Sequence, residues 1–272
     1  MSSSPTSAIR AIAELPPPTP EQFREEIVSA RRPVVLRGAA SAWPLVVTAK
    51  QDPRRCMAML SARSSAAEAD VLRADPEEEG RFHYAADDAS FNFVRGRGNL
   101  PGFLLGLAEQ EDADRPYAMV AQGLVAERYA PGFAKAHPMP LVPASAEPRL
   151  WIGNASKVAT HNDPVDNLAV VAAGRRRFTL FPPEAELDLY MGPAHPTPAG
   201  TPVSMVHVTA PDLARYPRFA EALKSAEEAE LGPGDAIFIP KDWYHHVEAL
   251  ERFNLLVNYW WDSAAERGEL DE

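Results

Sequence analysis

The sequence predicts a mainly β protein with added helices: a jelly roll in the C-terminal half behind an N-terminal α/β extension. Three observations predict it. From Arg149 onward, short apolar runs recur between Gly, Pro, Asn and Asp residues, the spacing of antiparallel strands joined by turns. Only two stretches of that half, "PPEAELDLY" after 182 and "DLARYPRFAEALKSA" after 211, read as helix. Residues before 148 mix helical text with isolated strands and show no internal repeat. A chain of 272 residues with 46% hydrophobic and 24% charged residues can bury a large core, and this composition excludes wholesale disorder.

Taken in order, residues 1–20 end in "PPPTP", a Pro-rich segment expected to run extended along the surface. Residues 21–147 form the helical and strand extension that packs on the jelly roll. Thr19 is a natural N-cap, with Pro20 in the first helical position, and Phe23, Ile27 and Val28 share one helical face. "PVVLRG" (33–38) reads as a buried strand and "DPRRCMAMLSAR" returns to helix. "AEADVLRA" and "PYAMVAQGL" read as strands on either side of a helix in "NLPGFLLGLAEQ". "FNFVRGRG" (91–98) reads as an aromatic strand leading into a loop, with a contact segment as the alternative.

The core, 148–262, is an antiparallel barrel of the jelly-roll type. Its expected strands are "RLWIGN", "NLAVVAAG", "RFTLFPP", "VSMVHV", "EEAEL", "DAIFIP", "HHVEAL" and "FNLLVNYWW", followed by an acidic tail at 263–272. In "THNDPVDN" alternation puts His161 and Asp163 on one side of an extended chain, with Asn162 turned away. Two ligands from one segment and a third from a distant strand make a facial metal site. "KDWYHHVEAL" offers the third: His245 and His246 point to opposite faces, so one of them faces the interior. Two histidines and a carboxylate with open positions opposite suit non-haem Fe(II) oxygenases, and zinc fits the same set. His83, His137, His195 and His207 are expected as surface or loop residues.

Net charge and cysteine usage exclude other classes. A formal charge of −11 repels nucleic acid and anionic membrane surfaces, leaving "GRRRF" (174–178) as the one basic cluster. The single cysteine, Cys56, excludes an intrachain disulfide and a Cys-rich zinc site, and reads as a small core residue. With no apolar leader and no run long enough to span a bilayer, a soluble cytoplasmic protein is the expectation.

Taken together, "THND…N…AAGRRRFTLFPPE", "ELGPGDAIFIPKDWYHHVEAL" and "FNLLVNYWW" resemble the cupin-like branch of the JmjC-type Fe(II)/2-oxoglutarate-dependent oxygenases. That branch includes the asparaginyl hydroxylase of hypoxia-inducible factor. The likeness covers 148–261 and extends to "PVVLRGAASAWPL" at 33–45. It implies a double-stranded β-helix of cupin/JmjC type. It also implies His161, Asp163 and His245 as the iron ligands, with His246 on the outer face of its strand. By the same likeness Asn167 and Asn258 are asparagines of the co-substrate cavity. Trp260 lines that cavity or is a plain core aromatic. Two departures bear on co-substrate binding: Arg176 stands where the family places a lysine for the distal carboxylate of 2-oxoglutarate, and Val158 where many members place a threonine. Arg175 and Arg177 are expected as solvated strand-edge residues.

The function implied is hydroxylation of a C–H bond of a protein side chain or a small molecule, using O2 and 2-oxoglutarate and releasing succinate and CO2. No nucleic-acid or membrane partner is expected. A metal-dependent cupin enzyme that does not use 2-oxoglutarate, and a non-catalytic acid- or peptide-binding module, are the competing classes.

Overall fold

The computed structural model describes residues 9–86, 88, 90–198 and 200–263, so the first eight residues and nearly all of the acidic tail lie outside the described residues. In chain order the strands are β1 (Arg10–Ala11), β2 (Ala13–Leu15), β3 (Val34–Leu36), β4 (Glu68–Ala74), β5 (Arg81–Phe82), β6 (Phe93–Asn99), β7 (Ala118–Val125), β8 (Arg149–Gly153), β9 (Ser156–Asn162), β10 (Asp166–Ala173), β11 (Arg176–Phe181), β12 (Glu227–Leu231), β13 (Ala236–Ile239), β14 (Tyr244–Ala249) and β15 (Asn254–Trp261).

Among the described residues these strands form two sheets. The smaller has the order β1-β12-β11-β14-β9-β5 and the larger β2-β3-β13-β10-β15-β8-β7-β4-β6. They face each other without closing into one hydrogen-bonded barrel, which corrects the barrel expectation while keeping the jelly roll. The residues facing inward from both sheets, among them Ala169, Val171, Phe178, Leu180, Ile237, Val247 and Leu256, make one apolar layer between them. The opposite face of the larger sheet, through Leu168, Val170, Val257 and Tyr259, packs against Phe23, Leu45, Leu60 and Leu104 of the N-terminal extension. Being buried on both faces is why β10 and β15 read as near-continuous apolar runs rather than alternating ones.

The extension is anchored locally. Thr19 and Gln22 form a reciprocal capping box, the Thr19 hydroxyl accepting from Gln22 N at 3.2 Å and Gln22 Oε1 accepting from Thr19 N at 3.0 Å. The Pro-rich start supplies a strand to each sheet, β1 pairing with β12 and β2 with β3, both parallel. "PLVVTAKQ", Pro44–Gln51, is a helix in addition to those expected from the sequence.

"VSMVHV" is the other difference. Within 203–208 only Ser204 makes a β-bridge, to Met191. The Ser204 hydroxyl donates to Leu189 O at 2.5 Å and accepts from Val206 N at 3.0 Å, which bends the chain out of strand geometry. The segment is instead a cover: Ser204 N donates to Thr160 O on β9 at 2.8 Å.

Gly174 makes the β10–β11 turn at φ +72°. A Cβ there would collide with Phe253 O and Asn254 Oδ1. Gly174→Ala therefore combines a left-handed backbone with a clash against backbone, and should destabilise the fold by about 2 kcal/mol or more. A lowered midpoint in urea unfolding at unchanged m-value checks this.

Candidate metal centre

The register of the smaller sheet brings the two histidines together. β14 pairs antiparallel with β9 so that His245 lies opposite His161, and on its other side with β11, opposite Leu180. A bulge in β9 separates this pair from the next, Val247 opposite Val158. Three residues of β9 thus match two of β14, so Val158 and His161 face the same interior although they are three apart. Plain alternation would have turned one of them out.

Asp163 follows the last residue of β9. Its carbonyl accepts from Asp242 N at 3.2 Å, and Asp166 Oδ1 accepts from Lys241 N at 2.8 Å. These two bonds pin the β13–β14 turn, where Asp242 takes φ +71°, against the β9–β10 turn. The Asp163 carboxylate is thereby held beside His161 and His245.

One ligand atom from each of His161, Asp163 and His245 lies within 4.8 Å of the others. The imidazole rings of His161 and His245 are 4.3 Å apart, and His245 Nε2 is 3.8 Å from Asp163 Oδ2. Both rings are oriented by backbone carbonyls at Nδ1, His161 by Ala159 O at 2.8 Å and His245 by Trp243 O at 3.2 Å. With Nδ1–H donating, each ring carries its lone pair on Nε2, the tautomer a metal requires. Burial, then the adjacent His161, hold His245 well below the usual histidine range, with Asp163 acting in the opposite sense. At neutral pH it is an uncharged imidazole.

Asn167 Nδ2 donates to Asp163 Oδ2 at 3.0 Å, and Asn258 Nδ2 donates to Asn167 Oδ1 at 2.8 Å. The two cavity asparagines expected from the resemblance thus form a relay that fixes the carboxylate from the larger sheet.

Arg176 lies on the same inner face of the smaller sheet, 6% exposed. Its Nη2 donates to Trp151 O at 3.3 Å and its Nε has no partner. Among the described residues no carboxylate pairs with it. Burial lowers its guanidinium to about 10, so it stays charged near neutrality. A buried, unpaired cation is costly and points to an anion that completes it. Trp151 Nε1, Trp260 Nε1 and Asn258 Oδ1 are likewise buried without partners, and the two indoles meet edge to face at 6.1 Å. Trp151 was not singled out in the sequence; its signal was the run "LWI", in which it faces opposite to Leu150 and Ile152.

Three expectations about other side chains change. His246 does face away from His245, but it is buried (5% exposed) beneath the 203–208 cover rather than solvated. His83 and His137 are buried as well, at 4% and 2%, each with a ring nitrogen on a backbone carbonyl. Arg175 and Arg177 are surface residues as expected, in ion pairs with Glu228, Glu230, Glu248 and Glu251. Cys56 is fully buried and its thiol is pushed up to about 12 by burial, an inert core residue. Among the described residues no helix is long and apolar enough to cross a membrane.

The sequence is similar to several known proteins. Lysine-specific demethylase JMJ31 of Arabidopsis thaliana is 38% identical over 114 residues, 42% of this chain and 20% of that protein. The human tRNA wybutosine-synthesizing protein 5 is 37% identical over 102 residues, 38% of this chain and 29% of its own length. The human bifunctional peptidase and (3S)-lysyl hydroxylase JMJD7 is 27% identical over 269 residues, covering 90% of this chain and 82% of the relative. Matches of the first kind span only about a quarter of their relatives' length; the last runs nearly end to end. The cupin-like domain family matches residues 20–267, and the chain belongs to that family.

Proposed function

We propose that this protein is an Fe(II)- and 2-oxoglutarate-dependent oxygenase that hydroxylates a C–H bond of a protein side chain. The observation that carries the reading is that the two histidines of a His–Asp–His cluster and a buried arginine without a carboxylate partner lie on one inner face of the same sheet, with Asp163 in the adjoining turn. The triad alone suits zinc as well as iron. The arginine tips the choice, because a co-substrate that chelates the metal at one end and ends in a carboxylate at the other satisfies both.

His161, Asp163 and His245 would hold the metal. The Asn258–Asn167 relay keeps Asp163 from rotating away. Arg176 would pair with the distal carboxylate, and Trp151 and Val158 would bound the methylene chain and exclude water. Trp260, partly buried and with a free indole N–H, would close the cavity from the larger sheet. When bound, iron and the keto acid supply O2 activation, with succinate and CO2 as co-products. A protein side chain is favoured as substrate because the relative matched along 90% of this chain is named a lysyl hydroxylase.

The test is an anaerobic titration of Fe(II)-loaded protein with 2-oxoglutarate, followed by the visible charge-transfer absorption of the chelate. A saturable band is expected. Bound iron without a band would overturn the reading in favour of a metal-dependent cupin enzyme that does not use 2-oxoglutarate.

A further inference from the structure

We propose that Arg149 selects the substrate of this site, and that the side chain it selects carries a carboxylate. The inference rests on the oxygenase reading above and narrows its substrate from any protein side chain to an acidic one.

Strand register places Arg149 at the metal end of the sandwich. It opens β8 and pairs with Asn258 on β15, so both side chains stand on the same face of the larger sheet. From Asn258 the contacts lead directly to the triad: Asn258 donates to Asn167, and Asn167 donates to Asp163. Trp260 lies on that face too, two residues on from Asn258 and opposite Asn167. Its ring sits under the Arg149 guanidinium, whose carbon is 5.6 Å from the ring centre. Arg176 starts from the other end, paired with Ala249 on β14, four residues beyond His245.

The end that holds Arg149 is also the more accessible one. His161, Asp163, Trp260 and Arg149 are all half-buried, whereas Arg176 is 6% exposed. A substrate that approaches the triad from this end meets Arg149 beside it.

Charge supplies the selectivity. Among the described residues no carboxylate pairs with Arg149. Its hydrogen bond from Nη1 to Gly123 O is long, at 3.4 Å, and its other contact is the face of Trp260. Trp260 Nε1 is a second donor on this face, buried and without an acceptor. A divalent metal, Asp163, a dianionic keto acid and Arg176 together carry no net charge, so Arg149 is the cation left uncompensated in the assembled site. A substrate carboxylate supplies the missing anion and an acceptor for these donors. A lysine ammonium would be held against a like charge in a partly desolvated place, which is unfavourable.

The experiment titrates capped pentapeptides Ala-Ala-X-Ala-Ala, with X as Asp, Glu, Asn, Gln or Lys, into the anaerobic protein loaded with Fe(II) and 2-oxoglutarate. Peptide Kd is read from the perturbation of the charge-transfer band. In the unmodified protein the Asp or the Glu peptide should bind about tenfold or more tightly than its amide counterpart and than the Lys peptide. Arg149→Met should lose this preference at a nearly constant 2-oxoglutarate Kd, Arg149→Lys should keep part of it, and Arg149→Glu should invert it in favour of Lys. A residue that merely packs on Trp260 would shift the melting temperature without reordering the peptides. The proposal is overturned if the unmodified protein binds neither acidic peptide, or binds all five alike. It is overturned equally if Arg149→Met keeps the preference, or if that variant loses 2-oxoglutarate instead, which would make Arg149 part of the co-substrate site. Absence of the band in the unmodified protein would instead sink the oxygenase reading itself.

Discussion

Asp163→Ala should be purified nearly free of iron, with metal affinity reduced by about a hundredfold or more relative to the unmodified protein. Asp163 is the only anionic ligand in the triad. Without it two neutral imidazoles face a divalent cation with no charge to offset its dehydration. The loss extends to Asn167, whose amide donates to Asp163 Oδ2 at 3.0 Å, and through it to Asn258. Asp163→Asn separates these effects: it can still accept from Asn167, so the metal-free fold should match the unmodified protein in thermal melting while metal binding stays weak. Metal analysis after dialysis, with titration calorimetry of Fe(II) or Co(II), checks both variants. Stoichiometric iron retained in Asp163→Ala would sink the assignment of the site.

The contrast between the triad and its surroundings shows what a sequence makes legible. His161 and Asp163 stand two apart at the end of a strand, and His245 follows an aromatic pair in another; alternation and motif order suffice to find them. Most strands of 148–262 were legible for the same reason, since apolar runs bounded by Gly and Pro leave little else to form. The β9 bulge was not, because an unpaired residue changes which side chains face inward without leaving a compositional mark. Nor was the cover over His246. Val206 and Val208 flank His207 as alternation in a strand would, but the hydroxyl of Ser204 bonds nearby backbone and diverts the chain. The burial of His83 and His246 follows from that cover, a long-range contact invisible to local pattern. Two separate sheets rather than a closed barrel is likewise a matter of pairing between distant strands.

Arg176 carries the larger physical consequence. Arg176→Met should make the ligand-free protein more stable, by about 1–3 kcal/mol, because it removes a buried cation that has no carboxylate partner while roughly conserving volume. A shift of that size corresponds to a rise in Tm of several degrees. The same variant should lose saturable 2-oxoglutarate binding, whereas Arg176→Lys, which restores a cation at that position, should keep it at reduced affinity. The two effects can be made to oppose each other in one measurement. In the Fe(II)-loaded protein under anaerobic conditions, 2-oxoglutarate at a hundred times its Kd should stabilise the unmodified chain by about 2.7 kcal/mol and leave Arg176→Met unmoved. Melting curves without and with the keto acid should therefore close or reverse the gap: the methionine variant higher without it, the arginine protein alone gaining with it. A methionine variant that is less stable without ligand would mean that the guanidinium is satisfied within the fold, through its bond to Trp151 O, and has no need of an anion. A methionine variant stabilised by 2-oxoglutarate as much as the unmodified protein would place the distal carboxylate elsewhere. A variant that is more stable without ligand and does not respond to it is what a cation held in the interior for its ligand, rather than for the fold, must produce.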